Sequence, residues 1–116
     1  MINLQNSNGC VHIADSVLSN ITGAAATSCF GVKGMAYRSR TDGLVHLLRR
    51  EAMDKGVRIT PVGENEISIE LHIVVEHGVN ITAVCRSIMS EVRYKVNLHT
   101  GAEVKTVDVC VDSIRF

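Results

Sequence analysis

The feature that most constrains the fold is an alternating apolar segment, Glu66 to Glu76, followed after a short turn by an amphipathic segment that ends at Gly101. In the first segment every second residue is apolar, which places these side chains on one face of a β-strand. They are Ile67, Ile69, Leu71, Ile73 and Val75. In the second, apolar residues recur every three or four positions, as on one face of a helix. They are Ile81, Val84, Cys85, Ile88, Met89, Val92 and Val96. We expect the strand and the helix to bury these faces together.

Four glycines and an asparagine mark the predicted turns and helix ends. Gly78 suits the reversal after the strand, because Gly adopts backbone angles that β-branched residues avoid. Asn80 suits the helix N-cap, since its side-chain oxygen can accept a backbone N–H, and Gly101 is typical of the position after a helix. Gly31 and Gly34 are interpreted as the ends of another structural turn, Gly31-Val32-Lys33-Gly34.

The N-terminal half predicts two more helices with less regular flanks. We expect residues 1–9 to be a flexible N-terminus and residues 10–116 to form a single domain. A short strand covers Cys10 to Ile13, and Asp15 is predicted to cap the helix that follows. Residues 35–41 are interpreted as a connecting loop. Asp42 can begin a second helix that ends near Gly56. Its apolar residues are Leu44, Val45, Leu47, Leu48 and Met53.

The resulting order, β-α-(α)-β-β-α-β, predicts an α/β (α+β) domain. Its two further strands cover residues 57–61 and 104–114, and right-handed crossovers place the helices on one face of a single four-stranded sheet. The opposite face is then open and partly apolar, which would suit self-association. Its residues are predicted to include Cys10, His12, His72, Val74, Asp108 and Cys110.

The charges are balanced overall but unevenly distributed. The 116 residues contain 12 basic and 12 acidic side chains, and seven of the basic ones lie between Gly31 and Arg58 beside three acidic ones. This asymmetry predicts contact with an anionic partner or head-to-tail self-association; the alternative is an ordinary solvated surface. The candidate partner- or anion-binding residues are Lys33, Arg38, Arg40, Arg49 and Arg50.

The first residues lack the apolar core of a signal peptide, and no apolar run is long enough to span a bilayer. We therefore expect a cytoplasmic protein without a transmembrane segment. In that reducing compartment its four cysteines are expected to be free thiols.

Three sequence blocks in order resemble the alkaline shock protein family, the cell-envelope stress response proteins of Gram-positive bacteria. The first holds Ala25, Ala26, Gly31, Val32, Gly34 and Met35; the second Val74, Val75, Glu76, Gly78, Asn80 and Ile81; the third Thr100, Gly101, Val104, Val107 and Val109. The resemblance covers nearly the whole chain and implies a non-enzymatic, self-associating cytoplasmic protein without a cofactor. It further implies a homo-oligomer. Some relatives are held near the membrane by a membrane-anchored protein partner, which implies a peripheral location at the inner membrane face through such a partner.

Three other functions were weighed against this one. Gly31-Val32-Lys33-Gly34 matches the G-x-x-G loop that joins two helices in RNA-binding KH domains. Cys10, His12, His72 and Cys110 could form a zinc site if the first strand lay between the third and fourth, although their spacing is not that of a zinc finger. Catalysis would need a nucleophile and base held in a concave pocket, and no such set stands out. We therefore expect no metal site and no enzyme.

Overall fold

The computed structural model describes residues 2–38, 45–48 and 55–116. Within these residues the chain forms two helices and seven strands. In chain order they are β1 (Ile2–Asn6), β2 (Gly9–Ile13), α1 (Asp15–Thr27), β3 (Val32–Arg38), β4 (Val45–Leu47), β5 (Val57–Gly63), β6 (Glu66–Glu76), α2 (Ile81–Thr100) and β7 (Glu103–Arg115).

Strand β6 is the centre of the main sheet because both of its edges are paired. Along one edge β7 runs parallel to it for its full length. Along the other edge, β5 pairs antiparallel with the first half of β6, and β3 pairs antiparallel with its second half. Strand β4 in turn pairs antiparallel with the end of β3. The five apolar side chains that the alternation predicted on one face are at most 1% exposed. Burying each of them contributes about 1.5–3 kcal/mol, and the predicted strand is confirmed.

Both helices contribute to the core that covers this face of the sheet. Helix α2 has the predicted ends: Oδ1 of Asn80 accepts a hydrogen bond from the backbone N–H of Ala83 at 3.0 Å, and Gly101 adopts the left-handed conformation. The buried row is Val84, Ile88, Val92 and Val96. It is narrower than predicted, since Ile81 and Met89 are 39% and 37% exposed. A single i, i+4 row is enough to face the sheet.

The N-terminal segment is part of the fold. Residues 2–6 form β1, which pairs antiparallel with β2 in a separate two-stranded sheet. Ile2 is 5% exposed and belongs to the core, so the predicted flexible start is wrong for these residues. The prediction that Asp15 caps α1 is also wrong. Ala14 occupies the N-cap without a side-chain hydrogen bond.

The sequence predicted that the strand at Cys10–Ile13 belongs to the main sheet. In the structure, β3 pairs with β6 instead. Residues 35–38, predicted as loop, continue this strand, and Val32 and Met35 pair with Val75 and Ile73. Residues 45–47, predicted as helix, form β4 opposite residues 36–38. Pairing with the preceding strand overrides the local helical pattern here. Residues 42–44 and 49–54 of the predicted second helix lie outside the described residues.

Candidate functional site

A polar cluster lies on the sheet face opposite the helices. Glu70 and His72 are two residues apart on β6 and so share a face, and β7 places Cys110 directly beside His72 in register. The imidazole is contacted on both sides: Nε2 lies 3.0 Å from Oε1 of Glu70, and Nδ1 lies 3.0 Å from Oδ2 of Asp112. We call Glu70, His72, Cys110 and Asp112 the His72 cluster.

The Cys110 thiol faces acidic neighbours in this cluster. One ligand atom each of Glu70, His72 and Cys110 lies within 4.8 Å of the others. Partial burial raises the pKa of the Cys110 thiol, and the negative charges of Glu70, Asp112 and Asp108 raise it further. The neutral thiol is therefore favoured unless a cation compensates the charge.

Only two members of the predicted zinc set come together. Cys10 and His12 lie on β2, whose partner is β1, and β7 pairs directly with β6. The assumption that the first strand lies between the third and fourth is therefore wrong. His12 contacts Asn3 instead.

The sequence did not identify Glu70 and Asp112 as partners of His72. For Glu70 a signal was present, because a spacing of two residues from His72 on one strand indicates a shared face. Asp112 depends on a β-bulge: Val111 pairs with Ile73 and Ser113 with Val74, so Asp112 is the extra residue. A bulge re-aims side chains in a way that strand alternation does not predict.

The open face is more polar than the sequence suggested. Beside the His72 cluster, the hydroxyl of Thr106 donates to Oγ of Ser68 at 2.9 Å. Val74, predicted on the same face, is fully buried. Hydrogen-bonded polar groups at the centre of this face make it a poor apolar contact surface.

The predicted basic surface is only partly described. Lys33 is exposed on β3, and Arg38 ends that strand; Arg40, Arg49 and Arg50 lie outside the described residues. Gly31 lies in a turn, whereas residues 32–34 already belong to β3, with Gly34 paired to Val74. The KH-like interpretation is therefore wrong in its geometry, because α1 is followed by a strand of the sheet and not by a second helix.

The outer edge of β7 is a second feature of interest. This strand has 13 residues, and among the described residues its only ladder partner is β6. Its bulged residues, Lys105 and Asp112, lie towards its ends, so residues 106–111 form a regular stretch. Along this stretch the outer edge offers backbone N–H and C=O groups to another strand.

Comparison with known proteins decides the family. The model of the alkaline shock protein 23 family, described as having a cell envelope-related function, matches residues 3–116. This chain belongs to that family. The resemblance carried by the three sequence blocks is thus confirmed.

This chain is similar to two curated relatives over almost their full lengths. It is 34% identical over 115 residues to the uncharacterized protein YloU of Bacillus subtilis, covering 98% of this chain and 95% of YloU. It is 32% identical over 117 residues to the uncharacterized protein Spy1614 of Streptococcus pyogenes, covering 98% and 94%.

Among solved structures, the fold is similar to that of the MamM CTD. One variant superimposes with a TM-score of 0.52 at 16% identity, covering 86% of this chain and 98% of that one. A second, in its manganese form, gives a TM-score of 0.52 at 17% identity, covering 86% and 99%. At such identities the likeness shows the fold alone.

Neither described helix is long and apolar enough to cross a membrane.

Proposed function

We propose that this protein is a non-enzymatic, self-associating component of the cell-envelope stress response, which works in the cytoplasm through protein–protein contacts. The family description supports the link to the envelope. The observation that carries self-association is the outer edge of β7, which has no ladder partner among the described residues. The occupant we assign to this edge is the β7 strand of a second copy, paired antiparallel across a two-fold axis.

The charges on β7 disfavour two of the registers for this pairing. Centring the axis on Val109, the middle residue of the strand, places Asp108 opposite Cys110 of the second copy within the regular stretch. Centring on Asp108 would oppose two identical carboxylates, and centring on Cys110 would oppose Asp108 and Asp112. Like charges directly opposite each other destabilise a strand pair.

The proposed register can be tested by cysteine cross-linking. In a background of Cys10→Ser, Cys29→Ala and Cys85→Ala, the substitution Asp108→Cys should form a disulfide with Cys110 of the second copy. Directly opposite residues of antiparallel strands lie about 4.5–5.5 Å apart between Cα atoms, within the range that a disulfide spans. After mild oxidation with diamide, we expect a covalent dimer on a non-reducing gel.

The matched control places the new cysteine on the other edge of the sheet. Thr60 is exposed on β5, and Thr60→Cys in the same background should yield little dimer. Sedimentation velocity on the unmodified protein gives the mass independently of any disulfide. A monomeric mass at tens of micromolar would contradict self-association, whereas a dimer with equal cross-linking of both variants would contradict only the β7 register.

A further inference from the structure

We propose that the His72 cluster is a binding site for a divalent transition-metal ion of the zinc class. The ligands are Nε2 of His72, Sγ of Cys110 and the carboxylate of Glu70. The site is built from one chain, so it does not depend on pairing of β7 with a second copy.

The contacts of the His72 ring require a second proton or a metal ion at one of its nitrogens. A neutral imidazole carries a proton on one nitrogen and a lone pair on the other. Both nitrogens lie 3.0 Å from a carboxylate oxygen. One contact is an N–H donating to oxygen, and the other is repulsive unless a second proton or a metal ion lies between the two atoms. A metal ion on the Glu70 side satisfies this contact and can also be reached by Cys110.

Asp112 has a different role in this arrangement. Its Oδ2 accepts from Nδ1 of His72, and its side chain is only 13% exposed. Histidines that bind metals usually donate their other N–H to a carboxylate, which fixes the tautomer and orients the ring. The Asp112 contact thus leaves the lone pair of Nε2 directed to the side where Glu70 lies. Asp112 is a positioning residue and not a ligand.

The ligand types indicate the class of ion. Thiolate and imidazole favour zinc and chemically similar ions over magnesium or calcium. The thiol releases its proton to solvent on binding, and the thiolate and carboxylate then neutralise the two charges of the ion. Ligand atoms around tetrahedral zinc lie about 3–4 Å apart. Closing the three atoms from within 4.8 Å therefore needs side-chain shifts of about 1 Å. Water can complete the coordination, since the Glu70 and His72 side chains are each 36% exposed.

The test is titration of the metal-free protein with cobalt chloride, followed by zinc chloride. Cobalt bound by a thiolate gives a ligand-to-metal charge-transfer absorption band in the near ultraviolet. We expect this band to saturate at one ion per chain. Zinc chloride should then displace cobalt and remove the band. Asp112→Asn should keep the band and weaken binding by about 10–100-fold, as expected for a residue that orients a ligand.

Variants separate this site from other thiols. Cys110→Ser should abolish the band, whereas Cys10→Ser, a change to the exposed cysteine of β2, should leave it unchanged. Circular dichroism confirms that each variant is folded. On the unmodified protein, zinc should slow iodoacetamide labelling of Cys110 but not of Cys10, as resolved by peptide mass spectrometry. Absence of a cobalt band and of zinc protection, or a band that survives Cys110→Ser, would overturn the proposal.

Discussion

At the scale of single residues, the structure explains why position 31, one of the glycines in the family pattern, is a glycine. Its φ is +88°, and a Cβ built there would lie 2.9 Å from Cγ2 of Val84 and 3.1 Å from Cγ1 of Val79. The turn thus brings backbone against the first buried residue of α2. Gly78 also has a positive φ, +91°, but a Cβ there would meet nothing within 4 Å.

We expect Gly31→Ala to lower the free energy of unfolding more than Gly78→Ala does. Both variants incur the backbone cost of a non-glycine residue at positive φ, about 1–2 kcal/mol. Gly31→Ala additionally forces Val84 or Val79 to move, at a cost of about 1–3 kcal/mol. Urea denaturation of both variants measures the difference. Equal losses would show that the turn relaxes and that close packing does not explain Gly31.

At the scale of elements, the start of α2 shows how one side chain fixes a boundary. Asn80 has extended backbone angles, and its side chain accepts the N–H of Ala83. This contact satisfies one of the backbone donors that a helix leaves unpaired at its first turn. Since α2 supplies the row that covers the sheet, the position of its start sets which side chains face the core.

We expect Asn80→Ala to lower the free energy of unfolding by about 1 kcal/mol, because the N–H of Ala83 loses its acceptor. Asn80→Asp retains an acceptor and adds a negative charge at the positive end of the helix dipole, so its stability should stay close to that of the unmodified protein. Thermal or urea unfolding followed by circular dichroism compares them. A loss of similar size in both variants would contradict a capping role.

At the scale of the whole molecule, the β1–β2 hairpin forms its own sheet but shares the core. Ile2 is 5% exposed and belongs to the same hydrophobic cluster as the residues of β6 and α2, and Leu4 packs against that cluster. Val11, which lies directly opposite Leu4 on the same face, is 50% exposed because it is nearer the turn. The hairpin is therefore joined to the domain through side chains on one of its faces.

We expect Ile2→Ala to destabilise the whole domain by about 2–4 kcal/mol, since it removes buried methyl groups and leaves a cavity. Val11→Ala, at the exposed end of the same face, should cost less than about 0.5 kcal/mol. Both values follow from a single cooperative transition in urea. If Ile2→Ala left the main transition unchanged, the hairpin would be energetically independent of the domain.

Strand pairing decided which of the residues predicted for the metal site come together. His72 and Cys110 were predicted on one open face, and the parallel register of β6 and β7 does place them side by side. Cys10 and His12 were grouped with them only through an assumed strand order, and the pairing of β2 with β1 separates them. The position of Asp112 depends on a bulge, which follows from how the two strands meet and from no local pattern.

What the sequence alone determined was local and periodic: β6, α2, the N-cap at Asn80, the left-handed glycine at 101 and the family. These features depend on side chains a few residues apart, so they can be predicted without knowing the rest of the fold. Only the tertiary structure decided that residues 32–38 join the sheet, that residues 2–6 pair with β2 and that Asp112 contacts His72. The first and the third depend on which distant strands pair and in which register, because pairing energy belongs to two strands and neither sequence alone encodes it. The second is a local hairpin, but Ile2 holds it in place by packing into a core made of distant residues.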